Sequence, residues 1–411
     1  MDRKFQADVD HARARNTAMA SVLARRRVLT GVGAALAVGV LDGCAPATLR
    51  PSGKAAAPAV LQLPPLRAAV DQITAITVCT RPFRPQGPRL DVERLGEQTI
   101  VHNYGHGGSG WSLSWGSSSI ARDNALAGGE RDIAVLGCGA LGLTSALLLL
   151  RAGARVTIYA KDLPPNVRSS LATGVWSPDS RICLAPHATP EFKRTWQDMA
   201  RRSWQTYQGL LGLPGDPVEW IDYYGVSDGG PATPAQRPAP DGRPAFASLE
   251  SELLPDLGPR PREYPPGTHP FGARTVHRSM WMMFNLNAYT RLLMADYLSG
   301  GGTIEISEFR SPADLKTLRQ KTLVNATGYG ARALFGDESV VPVRGQLARA
   351  PAQPDVHYGL YYKNVSFVPR RDGLVFQVVG DSDYYGYGDD TTTPSRAEAD
   401  FAVSTIAGLY G

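Results

Sequence analysis

Three glycines with the spacing Gly-x-Gly-x-x-Gly stand in the middle of the chain, at Gly137, Gly139 and Gly142. In such a pattern the first glycine makes a tight turn, the second lets the backbone approach a diphosphate, and the third lets a helix pack closely on a strand. The diphosphate would lie at the helix N-terminus, beside Ala140 and Leu141, where free N–H groups and the helix dipole favour an anion. The spacing therefore predicts a dinucleotide-binding site.

The elements that such a site needs flank the three glycines. Apolar runs at 133–136 and 155–160 predict two buried strands, and the apolar run 143–150 between them predicts a buried helix. Lys161 and Asp162 follow the second strand, where an acidic side chain can accept a hydrogen bond from a ribose. Strand, helix, strand and acid together favour dinucleotide binding over a purely structural βαβ unit.

The glycine pattern alone does not separate NAD from FAD. Ser169 and Ser170 follow the second strand and could hydrogen-bond the diphosphate side of a flavin. A later apolar strand ends in a small-residue turn at Thr327 and Gly328, of the kind that returns to the cofactor in flavoproteins. These two segments favour a flavin.

Composition narrows the class of protein. The 411 residues are 43% hydrophobic and 20% charged, which is ordinary for globular proteins and excludes wholesale disorder. Four cysteines exclude a disulfide-rich scaffold. The formal net charge is +5, of which residues 1–44 contribute +3 from seven Lys/Arg and four Asp. The remainder is nearly neutral, so the composition does not point to nucleic-acid binding.

The first 44 residues predict export. Arg25, Arg26 and Arg27 precede an apolar stretch at 28–41 that is shorter than the ~20 residues of a membrane span. A twin arginine before a short apolar run is typical of a bacterial Tat signal, and the following Leu-Asp-Gly-Cys resembles a lipobox. We expect a periplasmic or cell-envelope protein with Cys44 as the candidate lipid anchor, followed by a linker at 45–65. The alternative is an N-terminal helix with a chance arginine triplet.

The glycine pattern at 137–142 and several further motifs together resemble the D-amino-acid oxidase family of FAD enzymes. The further motifs are at 81–86, 101–110, 160–165, 172–176, 324–331 and 341–346. The resemblance implies FAD as cofactor, a D-amino acid and molecular oxygen as reaction partners, and an α+β or α/β fold. In that fold a Rossmann-type FAD-binding domain joins a mixed-sheet substrate domain.

The order of the motifs differs from that of the family. Segments 81–86 and 101–110 resemble the family's C-terminal region, yet here they precede the glycine pattern. We therefore predict a circular permutation that joins the old C-terminal helix, about 112–126, to the first Rossmann strand. The alternative, duplication or gene fusion, would leave a second copy of a motif, and the sequence contains none. The predicted organisation is an FAD-binding domain at 66–186 (66–126 plus 131–186), mainly substrate domain at 187–320, a return to the FAD-binding domain at 321–345, and substrate-domain strands with a C-terminal helix at 346–411.

The resemblance also implies the roles of individual residues. Arg81 aligns with the arginine that binds the substrate carboxylate, and a planar guanidinium matches a carboxylate with two parallel hydrogen bonds. Tyr362 aligns with a tyrosine that also touches the carboxylate. Where the family usually has a second tyrosine, this chain has Ser366. The smaller residue could widen the pocket, or Phe367 or Tyr361 could fill that space.

The glycine-rich stretch 105–110 is implied to contact both ligands. The Gly108 carbonyl would accept a hydrogen bond from the substrate amine. The residues expected near the flavin are Gly107, Gly108, Gly110, Trp111 and Ser112, where a helix N-terminus would favour negative charge. His106 lies in this stretch and His102 lies four residues earlier, but they have no accompanying carboxylate or cysteine, so we predict no metal site.

The favoured hypothesis is an exported FAD-dependent D-amino-acid oxidase that produces a 2-oxo acid, ammonia and hydrogen peroxide. One alternative keeps FAD but passes electrons from glycine, N-methyl or D-acidic amino acids to a membrane acceptor. The other is a flavin-binding lipoprotein without catalytic activity.

Overall fold

A computed structural model of the chain describes residues 60–229 and 241–410. The predicted export signal, Cys44 and the linker up to residue 59 lie outside the described residues, so they stay predictions. In the part of the chain that is described, no helix is both long enough and apolar enough to cross a membrane.

Fourteen strands, β1 to β14, account for most of the architecture of the described residues. In chain order they are Ala75–Phe83, Val92–Leu95, Gln98–His102, Asp132–Leu136, Arg155–Ala160, Val218–Ser227, Arg262–Tyr264, Thr275–Phe284, Thr303–Ile306, Thr322–Asn325, Val341–Ala350, Tyr358–Tyr362, Val365–Arg370 and Gly373–Val378.

The α-helices of the described residues are numbered α1 to α8. In chain order they are Gly110–Leu126, Ala140–Arg151, Pro190–Gln208, Glu250–Leu253, Leu286–Ser299, Pro312–Leu315, Gly330–Phe335 and Arg396–Ala407. Short 3₁₀ helices lie at Val70–Gln72, Arg168–Leu171 and Ala185–His187.

Six strands form a mainly parallel sheet in the order β2-β3-β10-β4-β5-β9. All neighbours in it are parallel except β2 and β3. Its central strands β4 and β10 are almost entirely buried, as expected for parallel strands that are covered on both faces. Helix α2 connects β4 to β5 and packs on α1, which in turn packs on α3.

The other eight strands form a mixed sheet in the order β1-β11-β14-β13-β12-β6-β8-β7. Only β12 and β6 are parallel. The two sheets share a core, because Val101 and Ile133 of the six-stranded sheet belong to the same buried cluster as Val218 and Phe284 of the eight-stranded sheet. The predicted mixed α/β fold class, with a Rossmann-type unit beside a mixed sheet, is confirmed.

The strands divide between the sheets differently from the predicted domain boundaries. β1 and β11 pair with each other in the eight-stranded sheet, although their residues lie largely in ranges predicted for the FAD-binding domain. β9 pairs with β5 in the six-stranded sheet, although its residues fall in the predicted substrate domain. Strand pairing depends on distant contacts, and local composition does not indicate which sheet a strand joins.

Apart from β1, the strands of the segment predicted to be transposed belong to the six-stranded sheet. β3 runs parallel to β10, with Val101 opposite Val324, and α1 packs beside α2. The C-terminal helix α8 lies instead on strands β11 and β14 of the other sheet.

The two ends of the described chain meet at one side chain. The Tyr358 hydroxyl donates to the Pro64 carbonyl and also bonds the Tyr410 hydroxyl at 2.6 Å. Leu61 and Leu63 pack against the buried cluster that contains Tyr358, so the described end of the predicted linker is attached to the core. A permutation requires this arrangement, because residues that follow one another in the family order must stay close together where the permutation opens a surface loop.

We predict that the chain folds equally well in the order typical of the family. A rearranged chain would run from 127 to 411, continue through a linker of about six residues, and finish with 64–126. Its thermal unfolding midpoint should lie within about 5 °C of that of residues 64–411 in the native order. The control is a chain opened between Ser145 and Ala146, inside α2, which should not fold. Failure of the rearranged chain to fold would contradict the permutation.

Candidate active site

Three parallel strands end side by side and place three turns at one edge of the sheet. Asn325, the last residue of β10, lies opposite Leu136 at the end of β4 and opposite His102 at the end of β3. The segments that follow these residues therefore leave the sheet together. They line one cavity of about 750 Å³, which lies at the carboxyl edge, where open α/β sheets bind their ligands.

The glycine pattern forms the turn after β4. Gly137 has a φ of +100°, and a Cβ there would lie 2.7 Å from the Ala326 carbonyl oxygen. A Cβ on Gly142 would lie 2.0 Å from the Gly137 carbonyl oxygen, so the close approach of α2 to the turn requires glycine. Gly139 precedes the first residue of α2, Ala140, at the cavity wall.

Ser169 connects this turn to helix α1. Its hydroxyl accepts a hydrogen bond from the Ala140 N–H at 3.1 Å, and its carbonyl accepts one from the Trp111 indole at 2.8 Å. At the far end of the cavity, Lys161 and Asp162 follow β5, and Lys161 forms an ion pair with Glu308 at 3.4 Å.

The turn that precedes α1 is also built from glycines. Gly107 has a φ of +55°, and a Cβ on it would overlap the Arg181 carbonyl oxygen. Its N–H donates to the Pro82 carbonyl, and the Gly108 N–H donates to the Ser180 carbonyl. Two distant segments therefore hold this turn against the cavity, and α1 begins directly after it.

The two histidines of this region are hydrogen-bonded in the protein interior. His102 contacts Glu93 at 3.0 Å and the Asn325 amide at 3.1 Å. His106 bonds the Ser117 hydroxyl at 2.8 Å, and burial lowers its pKa to about 3. His102 therefore joins the ends of β3 and β10, and His106 joins the segment after β3 to α1.

Arg81 projects from β1 into the same cavity. Its guanidinium donates to the Arg344 carbonyl at 3.2 Å and covers Gly345, where a Cβ would overlap it. Among the described residues, no carboxylate lies within ion-pair distance of Arg81. Burial lowers its pKa below the ordinary value, as expected for a cation that lacks a close counter-ion.

Most of the predicted site residues line the cavity. They are Arg81, Gly107, Gly108, Gly110, Trp111, Gly137, Gly139, Ala140, Leu141, Lys161, Asp162, Ser169, Thr327 and Gly328. Three others lie behind its wall. Gly142 packs against the turn, the Ser112 hydroxyl accepts from the Ser177 N–H, and the buried Ser170 hydroxyl has no hydrogen-bond partner among the described residues.

Tyr362 was predicted to touch the substrate, and the structure corrects this. Its hydroxyl donates to Asp228 at 2.9 Å, and its ring belongs to the buried cluster on the opposite face of β12. Successive side chains of a strand point to opposite faces, so Tyr361 lines the cavity in its place. Tyr362 does not line the cavity.

The sequence reasoning missed several cavity residues on the eight-stranded sheet. Tyr223 and Trp281 stack with ring centroids 3.6 Å apart and an interplanar angle of 5°. The Tyr223 hydroxyl bonds the Ser366 hydroxyl at 2.9 Å. Arg181 and Asp383 also line the cavity near Arg81. Alternation along β6 and β8 could have suggested the aromatic wall, whereas no local pattern indicates Arg181.

A half-buried acidic pair, Asp179 and Glu250, holds the segment that carries Ser180 and Arg181. The Asp179 carboxylate accepts from the N–H groups of Leu249 and Glu250, and the Glu250 carboxylate accepts from the Trp176 indole at 2.8 Å. Burial, and then the nearby Asp179, raise the pKa of Glu250 to about 7.

Comparison with known proteins gives a consistent set of relatives. A family model described as FAD dependent oxidoreductase (DAO) matches residues 132–410. The chain is 30% identical over 270 residues to a D-amino-acid oxidase of Rubrobacter xylanophilus, covering 64% of this chain and 73% of that protein. It is 27% identical over 236 residues to a D-amino-acid oxidase of Streptomyces coelicolor, covering 56% of this chain and 62%, less than two thirds, of that protein. A solved glycine oxidase from Bacillus cereus is similar with a TM-score of 0.39 and 14% identity, covering 60% of this chain and 70% of that one.

The raised pKa of Glu250 predicts a pH-dependent stability. In the folded protein the pKa of Glu250 is about 7, whereas in the unfolded chain it has its ordinary value of 4.5. Between pH 4.5 and pH 7 the folded protein holds a proton that the unfolded chain has released, so the free energy of unfolding falls as the pH rises through this range. Glu250→Gln keeps a side-chain oxygen that can accept from the Trp176 indole, but it does not titrate, so it avoids this loss of stability. Urea unfolding at pH 8 should show a gain of about 1–3 kcal/mol over the wild type, with little difference at pH 5. The control is Glu252→Gln, an exposed change on the same helix, and equal gains at both pH values would contradict the interpretation.

Gly142 gives a test of the cofactor site. In Gly142→Ala the new methyl group would push α2 away from the Gly137 turn, and overpacking of this kind costs about 1–3 kcal/mol. We expect FAD affinity to fall about 10-fold or more in fluorescence titrations. Gly128→Ala is the matched control, since a Cβ there meets nothing within 4 Å. Unchanged FAD affinity in Gly142→Ala would show that this turn does not hold the cofactor.

Proposed function

Because the chain belongs to the D-amino-acid-oxidase (DAO) family of FAD-dependent oxidoreductases, we propose that it oxidises free D-amino acids. One D-amino acid, one O₂ and one water would yield a 2-oxo acid, ammonia and hydrogen peroxide. The observation that carries the proposal is the Arg81 guanidinium, which faces the same cavity as the dinucleotide turn and has no carboxylate in ion-pair contact among the described residues.

The cavity fits FAD on its own geometry. The Gly137 turn leaves backbone N–H groups at the start of α2 for a diphosphate, and Asp162 lies where a ribose hydroxyl can donate to it. At the other end, α1 begins at Gly110 and favours negative charge at the cavity. When bound, FAD supplies the two-electron acceptor for oxidation of the substrate C–N bond.

Arg81 and Gly108 supply the two contacts that orient an α-amino acid. A guanidinium fork binds the α-carboxylate with two parallel hydrogen bonds, and a backbone carbonyl accepts from the amine. Both groups are held by backbone carbonyls, Arg81 by that of Arg344 and Gly108, through its N–H, by that of Ser180. Rigid supports of this kind keep the α-carbon in a single orientation, which is the main contribution that a protein makes to such a reaction.

The eight-stranded sheet supplies a rigid wall for the rest of the substrate. The stacked rings of Tyr223 and Trp281 present an apolar surface, and the Ser366 hydroxyl is bonded to Tyr223 at its edge. A small residue at 366 leaves space where an aromatic side chain would close the cavity. This wall keeps water away from the reacting bond.

We predict that Arg81→Met retains bound FAD but loses substrate oxidation. Loss of a charge-assisted pair of hydrogen bonds and of the orientation that it imposes should lower kcat/KM by about 100-fold or more. The measurement is anaerobic bleaching of the flavin absorbance by a panel of D-amino acids and their L-enantiomers. Arg94→Met, an exposed change on β2, is the matched control and should bleach like the wild type.

The same assay separates the alternatives. The flavin of the wild type should be bleached by D-amino acids but not by their L-enantiomers. When air is admitted, hydrogen peroxide should form in stoichiometric amounts. If the flavin is bleached but its electrons pass rapidly to an added dye and little peroxide forms, the protein is a dehydrogenase and not an oxidase. A yellow protein that no amino acid bleaches would overturn the proposed function.

A further inference from the structure

A second arginine, Arg181, lines the cavity near Arg81. It has a φ of +51°, which is uncommon for a residue with a side chain, and its carbonyl oxygen occupies the space beside Gly107. Its side chain is only 10% exposed. A buried arginine in a sparsely populated backbone conformation, at the wall of a ligand cavity, is a reason to look for a function.

The ion pair of Arg181 is looser than those of the other buried arginines. Its Nε donates to the Asp383 carbonyl at 2.7 Å, but its closest carboxylate contact is Nη2 to Asp383 Oδ1 at 3.6 Å. By contrast, Arg370 contacts Asp372 at 2.6 Å and Arg344 contacts Glu398 at 2.9 Å. The guanidinium of Arg181 therefore has donors that the described residues do not satisfy with a close carboxylate.

The charges that act on Arg181 do not balance for a neutral amino acid. The charged groups closest to it are Arg81 and Asp383, so this trio carries two positive charges and one negative charge. A zwitterionic substrate has no net charge and leaves the excess positive charge buried. An amino acid with a second carboxylate has a net charge of −1 and cancels it. Burial and then the proximity of Arg81 lower the pKa of Arg181 to about 10, which agrees with an undercompensated cation.

We propose that Arg181 binds a side-chain carboxylate, so that the site selects acidic D-amino acids such as D-aspartate and D-glutamate. The inference rests on the proposed function and names its substrate class. Arg81 takes the α-carboxylate, and Arg181 takes the second carboxylate in place of its loose contact with Asp383. A cationic side chain would instead meet two buried guanidinium groups.

The experiment compares D-aspartate with D-asparagine, which has nearly the same shape but lacks the second charge. For the wild-type holoenzyme, kcat/KM for D-aspartate should exceed that for D-asparagine by about 10-fold or more, as expected for a charge-assisted hydrogen bond. In Arg181→Met this ratio should fall by about 10- to 100-fold. Arg181→Lys keeps the charge and should retain part of the preference.

Asp383→Asn tests the proposal from the other side and does not depend on replacing the arginine. Removing the competing carboxylate should raise the ratio by lowering KM for D-aspartate. Arg278→Met is the matched control, because Arg278 forms a close ion pair with Asp222 at 2.7 Å and does not line the cavity. It should leave the ratio as in the wild type.

The outcomes separate the two proposals. If D-asparagine or D-alanine bleaches the flavin but D-aspartate is not preferred, the role of Arg181 is overturned and the oxidase function stands. An equal loss for both substrates in Arg181→Met, with the ratio unchanged in Asp383→Asn, would also overturn it. If no D-amino acid bleaches the flavin, the proposed function itself fails.

Discussion

The parallel register of three strands is the constraint on which the site depends. Asn325 lies opposite both Leu136 and His102, so the turns that follow β10, β4 and β3 leave the sheet at one level. A shift of one residue in any of these pairings would turn its side chains to the other face. The buried bonds of Asn325 to His102 and Thr327 act at this level, where the register is decided.

The second requirement is that the eight-stranded sheet reaches the same edge. β1 delivers Arg81 there because it pairs with β11 along its whole length, from Ala75 opposite Arg349 to Phe83 opposite Val341. The Gly107 and Gly108 N–H groups then bond carbonyls on the segments that carry Pro82 and Arg181. The substrate end of the cavity is therefore assembled around the glycine-rich turn, with each arginine supported by backbone close to that turn.

The glycine turn and its flanking elements could be predicted from the sequence because local spacing determines them. Strand, glycine turn and helix follow one another within a short stretch, and each glycine has a local steric reason, as Gly137 and Gly142 show. The other half depends on which face of a strand each side chain occupies and on loops that are distant in sequence. A resemblance to the family pointed to Tyr362, but strand alternation puts Tyr361 at the cavity. Arg181 meets Asp383 only through the fold, so no pattern along the chain could have indicated it.

The order of the segments along the chain matters less than the register that joins them. β3 and α1 occupy one layer with β4, β10 and α2 whether they precede or follow these elements in sequence, because hydrogen bonds and packing act on neighbours in space. The connection between α1 and β4 needs only the few residues after Leu126, and Pro64 and Tyr410, near the two ends of the described residues, both bond Tyr358. We therefore expect the family order to give the same cavity, although Arg81 and the glycine-rich turn precede the dinucleotide turn in this chain. What must be preserved is the closeness of Pro64 and Tyr410, and their contacts with Tyr358 preserve it.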